Sequence, residues 1–383
     1  MGAFEVTTNL REYRLVFVGP AEGQTAVGDY AQDFVTAVKP HFGDVAEVRT
    51  RGPGGDSVRD ILAYRRAVAA LVAEAPDRVL VHGELAAGGA APFWTIAGLS
   101  GVPVTATIHD PPQGVWWPAA TKFMFAPKLS RKLVFHGMHY PLRPLSTKVE
   151  GMVNGRRTLF ALTETGRRSI EQRYPHTTAV YVPHIVRDRP VIRPVQERPR
   201  AVGFFGHVYR GKGFEQVARI RELLADDIAI RVAGRGTESL PRVDGIEILG
   251  AVDGPAEDAF FGSVQAIVVP YGKRHWYDET YPASGVVAHA TAYRTPVVCT
   301  GYGSLAELDE KTGAVVVRTP GTEQEAVAAG LAEAIEALLG DTGRLTELGE
   351  YAEKTRQARS GAATAQAYAA AWAQLLDRHP KGH

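Results

Sequence analysis

The chain has 383 residues, 45% of them apolar and 22% charged, with a net charge of +1. This is the composition of a globular protein long enough for two cores of roughly 150–200 residues each, and its near-neutral balance excludes a general attraction to nucleic acid. Cys299 is the single cysteine, which excludes an internal disulfide framework and a cysteine-based zinc site and suits a reducing cytosol.

No run reaches the ~18 apolar residues of a membrane span, and the opening MGAFEVTTNLREYRL lacks the apolar core of a signal peptide, so a cytoplasmic location is expected. Tyr13–Gly19 (YRLVFVG) reads as a buried strand. GDYAQDFVTAVKPHF then places Tyr30, Phe34, Val35 and Val38 at helical spacing. Arg78–Gly83 (RVLVHG) and Pro103–Asp110 (PVTATIHD) are further strands, separated by the small-residue stretch ELAAGGAAPFWTIAGLSG. Lys128–Arg157 is basic and partly apolar. It reads mainly as a solvated face, and it is also suited to seating an anionic acceptor or touching a membrane surface. RTLFALT and TAVYVPHI are the last strands of this half, with ETGRRSIEQRY as the helix between them. Strands alternating with helices predict a parallel, doubly wound sheet.

Val186–Arg200 (VRDRPVIRPVQERPR) carries prolines and arginines without a usable period and reads as a linker. The alternation then restarts with RAVGFFG, IAIRVAG, GIEILG, AIVVPYG, TPVVCT and GAVVVR as strands, and GFEQVARIRELLA and TEQEAVAAGLAEAIEALLG as helices. GAATAQAYAAAWAQLLDRH follows as an Ala-rich amphipathic helix with Trp372 on its apolar face. Within Gly203–Ile220 (GFFGHVYRGKGFEQVARI), an apolar strand runs through a glycine turn bearing Arg210 and Lys212 into a helix start. Helix-start amides and two cations favour an anion such as a phosphate, although an ordinary strand-to-helix turn uses the same residue types. VGPAEGQTAVG is not the Gly-x-Gly-x-x-Gly of a dinucleotide oxidoreductase.

The ordered set GFFGHVYRGKGFEQV, IRVAGRGTE, IEILGAV, AIVVPYG, ATAYRTPVVCT and GSLAELDEKTGAVVV resembles the nucleotide-sugar half of a GT-B glycosyltransferase. More closely it resembles the retaining glycosyltransferase family 4 (glycosyl transferases group 1). VFVGPAEGQTAVGDYAQDF, PVTATIHDPP, LFALTETGRRSI and VYVPHIVRD resemble the same family's first half, with His184 in place of its asparagine. The resemblance implies an α/β chain of two Rossmann-like doubly wound parallel-sheet domains facing across a cleft. Its pieces would be an acceptor-binding domain at 1–187, a linker at 188–200, a nucleotide-sugar domain at 201–360, and a helix at 361–383 crossing back to the first domain. The implied reaction moves a glucose- or mannose-type hexose from UDP- or GDP-sugar to a hydroxyl of a glycan, lipid or small molecule. No tightly bound cofactor is implied, and the lack of an Asp-x-Asp pair argues against a metal-dependent enzyme. Contact with the inner membrane face through 128–157 would suit a lipid acceptor.

By the same resemblance, Gly28 lies where the chain passes the donor's phosphates, and His109 orients the donor sugar or stabilises charge. Arg210 and Lys212 neutralise the leaving diphosphate, assisted by the amides of Ser284, Gly285, Val286 and Val287; Ser284 is equally a helix N-cap. Gly234, Arg235 and Gly236 fall near the base or ribose. The chain also departs from the family. His207 stands where a loop arginine is usual, and Tyr281 and His289 stand where two glutamates are usual. Glu279, two residues before Tyr281, is the candidate to take over an acid's role. These departures keep two other readings open: a nucleotide-sugar epimerase of GT-B fold, and a catalytically silent GT-B binding protein.

Overall fold

The computed structural model describes residues 8–115, 122, 128–273, 280–319 and 323–378. Its chain divides into two compact units. The first comprises the residues up to Ile185, Thr280–Ala283 and the segment from Gly361; the second comprises Val186–Glu279 and Ser284–Ser360.

In the first unit, strands β1 (Arg14–Pro20), β2 (Asp44–Thr50), β3 (Val79–Leu85), β4 (Val104–Ile108), β5 (Thr158–Ala161) and β6 (Thr178–Tyr181) form a parallel sheet. Their order is β2-β1-β3-β4-β5-β6. Helix α1 (Ala26–Val38) starts where the Thr25 hydroxyl accepts from the Gly28 amide and gives way at Pro40 to a short 3-10 turn. Helix α2 (Val58–Ala73) begins in a reciprocal capping box of Ser57 and Asp60. α3 (Ala90–Ile96), α4 (Lys128–Asn154) and α5 (Glu164–Arg173) follow in chain order.

The sequence reading placed neither β2 nor α2. β2 is an edge strand with four partly or wholly exposed residues at its start, DVAE, so it lacks the continuous apolar run of its buried neighbours.

In the second unit, β7 (Ala201–Phe205), β8 (Ala229–Ala233), β9 (Ile246–Gly250), β10 (Ala266–Val269), β11 (Val297–Thr300) and β12 (Ala314–Val317) form another parallel sheet. The order β12-β11-β10-β7-β8-β9 is that of a dinucleotide-binding fold, and its direction reverses between β7 and β10. In such sheets ligands bind outside the carboxyl ends of the strands at that reversal. The helices are α6 (Val217–Leu223), α7 (Gly254–Gly262), α8 (Gly285–Ala292), α9 (Gln324–Gly340) and α10 (Thr342–Ala358). The doubly wound α/β reading therefore holds in both halves.

Val186–Arg200 is largely irregular, but it is no free tether. The buried Arg198 guanidinium donates to the carbonyls of Arg193, Phe261, Val264 and Tyr293 and to the Thr295 hydroxyl, fixing the segment to the second unit.

The last helix, α11 (Gly361–Arg378), belongs to the first unit. Ala365, Tyr368, Ala369, Trp372, Ala373 and Leu376 recur every three or four residues and are buried against Phe34, Phe42 and Phe160. Among the described residues no helix is long and apolar enough to cross a membrane.

Candidate functional site

Glycines bring the strand ends of the second unit together at the reversal. At Gly213 the backbone is left-handed (φ +76°), and a Cβ there would lie 2.0 Å from the Pro270 carbonyl oxygen. At Gly234 φ is +133°, and a Cβ would lie 2.0 Å from the Gly206 carbonyl oxygen. Only glycine fits such positions. The chain after β7 is thereby pressed against the ends of β8 and β10.

Lys212 leads from that loop to Tyr271, two residues past the end of β10. Its Nζ donates to the Tyr271 hydroxyl and sits 3.7 Å from the ring centroid. The same phenol oxygen accepts from Ser284 Oγ at 3.1 Å. Ser284 caps α8, its Oγ accepting from the Val287 amide at 3.4 Å. The N-cap read for Ser284 in the sequence is thus present, and the same hydroxyl also donates to Tyr271. The amides of Gly285 and Val286 lie in the first turn, which offers them no carbonyl within the helix. Burial pushes the Tyr271 phenol well above its usual range, so it bridges as a neutral group. An ammonium, a neutral bridge and a helix start in hydrogen-bonded series are suited to an anion.

One turn into α8, His289 Nδ1 donates to Glu257 Oε1 at 2.7 Å, and its ring lies 5.1 Å from that of Phe205. Glu257 is buried and also accepts from Arg189 Nη2 at 2.9 and 3.0 Å. A carboxylate thus stands behind His289, supplied by α7 rather than by the site's own helix.

His207 and Arg210 are exposed on the loop. Gly234–Gly236 form a tight turn whose Arg235 carbonyl accepts from Val208 and so pins that loop. Glu279 lies outside the described residues. Tyr281 is placed with the first unit: its amide donates to the Pro111 carbonyl at 2.8 Å, and its carbonyl accepts from Thr163 Oγ1 at 2.9 Å. Gly28 has a packing reason as well, since a Cβ there would lie 2.1 Å from the Ala21 carbonyl oxygen.

In the first unit a second cluster surrounds His109, which follows β4. His109 Nε2 donates to Glu84 Oε2 at 2.6 Å. Glu84 lies on β3 and is fully buried; its other oxygen, Oε1, is 3.4 Å from His82 Nε2. His82 in turn lies 2.8 Å from Thr105 Oγ1 and 3.1 Å from Thr107 Oγ1. Tyr368 and Trp372 of α11 close the line, at 2.9 Å from Thr107 Oγ1 and 3.2 Å from Thr105 Oγ1. Burial pushes the Glu84 carboxyl up, but the His109 hydrogen bond and the neighbouring His82 imidazole outweigh it and leave the group below its usual range. The Tyr30 ring packs nearly perpendicular to His109 with centroids 5.1 Å apart, and His184 packs on Tyr30 with centroids 4.9 Å apart. Asp110 does loop work: its Oδ2 accepts from the Ala87 amide at 2.9 Å.

Lys212 and the α8 start, both singled out in the sequence, meet at Tyr271, which the sequence does not single out, nor does it single out Glu257, His82 or Glu84. A signal for the last two was present. In Val79–Leu85, two ionisable residues sit two apart on one face of a strand that is buried throughout, and buried polar groups need partners. Among the described residues no group of His, Cys, Asp and Glu is arranged to hold a metal ion.

Residues 199–341 match the family model described as glycosyl transferases group 1. No curated protein matches the chain by sequence. Solved structures match it at low identity. TarM from S. aureus is 13% identical, with a TM-score of 0.54, over 83% of this chain and 58% of its own. The chain therefore spans less than two thirds of TarM's length. Anabaena HepE in complex with UDP-glucose is 12% identical, with a TM-score of 0.59, over 94% of this chain and 99% of its own. The α,α-trehalose 6-phosphate synthase of Burkholderia multivorans is 12% identical, with a TM-score of 0.58, over 96% and 100%. The fold shared with these proteins is GT-B.

Proposed function

We propose, from the premise that the chain is a GT-B-fold glycosyltransferase with a group 1 domain at residues 199–341, that it moves a glucose- or mannose-type hexose from a UDP- or GDP-sugar to a hydroxyl acceptor with retention at the anomeric carbon. The observation that carries this reading is the Lys212–Tyr271–Ser284 series at the sheet reversal of the second unit.

Glycosyl transfer makes a nucleoside diphosphate the leaving group. Negative charge grows on its oxygens as the sugar becomes cationic. Groups already aimed at those oxygens lower the barrier more than they stabilise the bound substrate. Lys212 supplies the cation, held in place by Tyr271 while the donor is absent. The first-turn amides of α8 supply dipoles that need no reorganisation. From the first unit, His109 is the residue we assign to a sugar hydroxyl. That HepE has been seen with UDP-glucose supports a nucleotide sugar as the donor class.

The test is calorimetric titration with UDP, GDP, ADP and their sugars, followed by product analysis with whichever binds. One nucleotide should bind. Lys212→Ala should keep the fold and lower turnover more than tenfold, or about 1.4 kcal/mol. Binding of no nucleotide would overturn the reading. An altered donor without glycosylated acceptor would identify an epimerase instead.

A further inference from the structure

A fully buried carboxylate in the middle of a sheet core requires a reason, because an apolar side chain of similar volume packs there at least as favourably. Glu84 is such a group, on a strand buried along its whole length. The titratable groups that face it come from every element packed around it: His82 on its own strand, His109 after β4, Tyr30 from α1 and Tyr368 from α11. No arginine or lysine is among these. The carboxylate is matched to imidazole, and its hydrogen bond, 2.6 Å, goes to the one of the two imidazoles that is not fully buried.

We infer that Glu84 is the positioning residue of His109, and that it sets the tautomer in which His109 presents Nδ1 to a sugar hydroxyl. The inference rests on the reading above that His109 meets substrate. A carboxylate accepts only, so the His109 proton sits on Nε2, pointing at Glu84. In the neutral ring Nδ1 then carries the lone pair, and it is the nitrogen left for a ligand. The ring plane is held as well as the proton. The Tyr30 ring packs nearly perpendicular to the imidazole on one side, while His82, itself held by Thr105 and Thr107, stands 3.4 Å from Glu84 Oε1. α11 completes that backing through Tyr368 on Thr107 and Trp372 on Thr105. The substrate class this selects is a hydroxyl that donates to Nδ1, as a hexose or polyol hydroxyl does, and not a carbonyl or phosphate oxygen.

The experiment compares Glu84→Gln and His109→Ala in the full chain, with kcat, KM for the nucleotide sugar and kcat against pH as readouts. An amide in place of the carboxylate offers Nε2 a donor as readily as an acceptor, so the ring loses its enforced tautomer. Glu84→Gln should lower kcat at least tenfold, change KM less than threefold, and displace the acid limb of the pH profile. Glu84→Asp should recover part of kcat. In the unaltered protein, nitrogen-15 NMR of labelled imidazoles, assigned to His109 by its loss in His109→Ala, should show a neutral ring protonated at Nε2. That measurement keeps the proposal testable should Glu84→Gln fail to fold. An unchanged kcat and pH profile in folded Glu84→Gln, or a ring protonated at Nδ1, would overturn the inference while an inactive His109→Ala leaves the role of His109 standing. An active His109→Ala would overturn both, and the nucleotide titration of the second unit would still be decided separately.

Discussion

Trp372→Ala measures how much of the first unit depends on its last helix. Trp372 is fully buried, and its ring lies 5.3 Å from Tyr368 and from His82, 5.4 Å from Phe42, and 6.1 Å from Phe34 and Phe160. Truncating an aromatic ring in a packed core costs about 3–5 kcal/mol, because neighbours held by the sheet and α1 cannot close the space. The indole N–H also donates to Thr105 Oγ1, worth about 1 kcal/mol; Thr105 keeps His82 and the Val81 carbonyl as partners, so no orphan penalty is added. The sum is about 4–6 kcal/mol, a large part of the 5–15 kcal/mol or so that holds a typical domain folded. For a unit of about 200 residues this converts to a fall in Tm of roughly 10–20 °C. Scanning calorimetry of the full chain should show it, and Trp372→Phe should recover most of the loss. A fall of less than about 3 °C for Trp372→Ala would refute the assignment of α11 to this core.

Gly213→Ala puts a methyl against the Pro270 carbonyl in a left-handed backbone, so the loop carrying Lys212 must shift; nucleotide affinity should fall more than tenfold by calorimetric titration. Tyr271→Phe removes the bridge between Lys212 and Ser284 but keeps the ring, and is expected to weaken nucleotide binding three- to tenfold with Tm changed by only a few degrees. Burial pushes the Cys299 thiol up to about 12, so a thiol reagent at pH 8 should leave the native protein unlabelled and react with one thiol per chain in denaturant. The Glu84 carboxyl lies below its usual range in the folded state, so its contribution to stability is present above about pH 4.5 and lost as pH falls below that. The urea midpoint of Glu84→Gln should accordingly lose less than that of the unaltered chain between pH 7 and pH 4.

Elements buried on both faces were legible in the sequence, because strands such as AIVV and TLFA are unbroken apolar runs between turn residues. β2 was not, since an edge strand needs no such run, and the prolines of Val186–Arg200 masked the anchoring of Arg198. Lys212 and Ser284 could be singled out because glycine turns and N-caps are local signals. Their bridge could not: Tyr271 is 59 positions from Lys212, Glu257 is 32 from His289, and Glu84 is 25 from His109. Those pairings exist only once the sheet order has set which strand ends are neighbours. His289 in place of an acid looked like a loss, yet the structure supplies a carboxylate behind it from another helix.

The placement of α11 has a consequence for how the protein is made. The first unit needs a helix that begins at Gly361, whereas the second occupies Val186–Ser360 apart from Thr280–Ala283. On a ribosome adding about 5–20 residues each second, roughly ten to thirty-five seconds separate the emergence of the first unit's sheet from that of the helix that covers it. During that interval Phe34, Phe42 and Phe160 lack the partner that later buries them. The second unit can therefore close while the first still waits for its last helix. A nascent chain stalled before Gly361 should bind holdase chaperones through its older half.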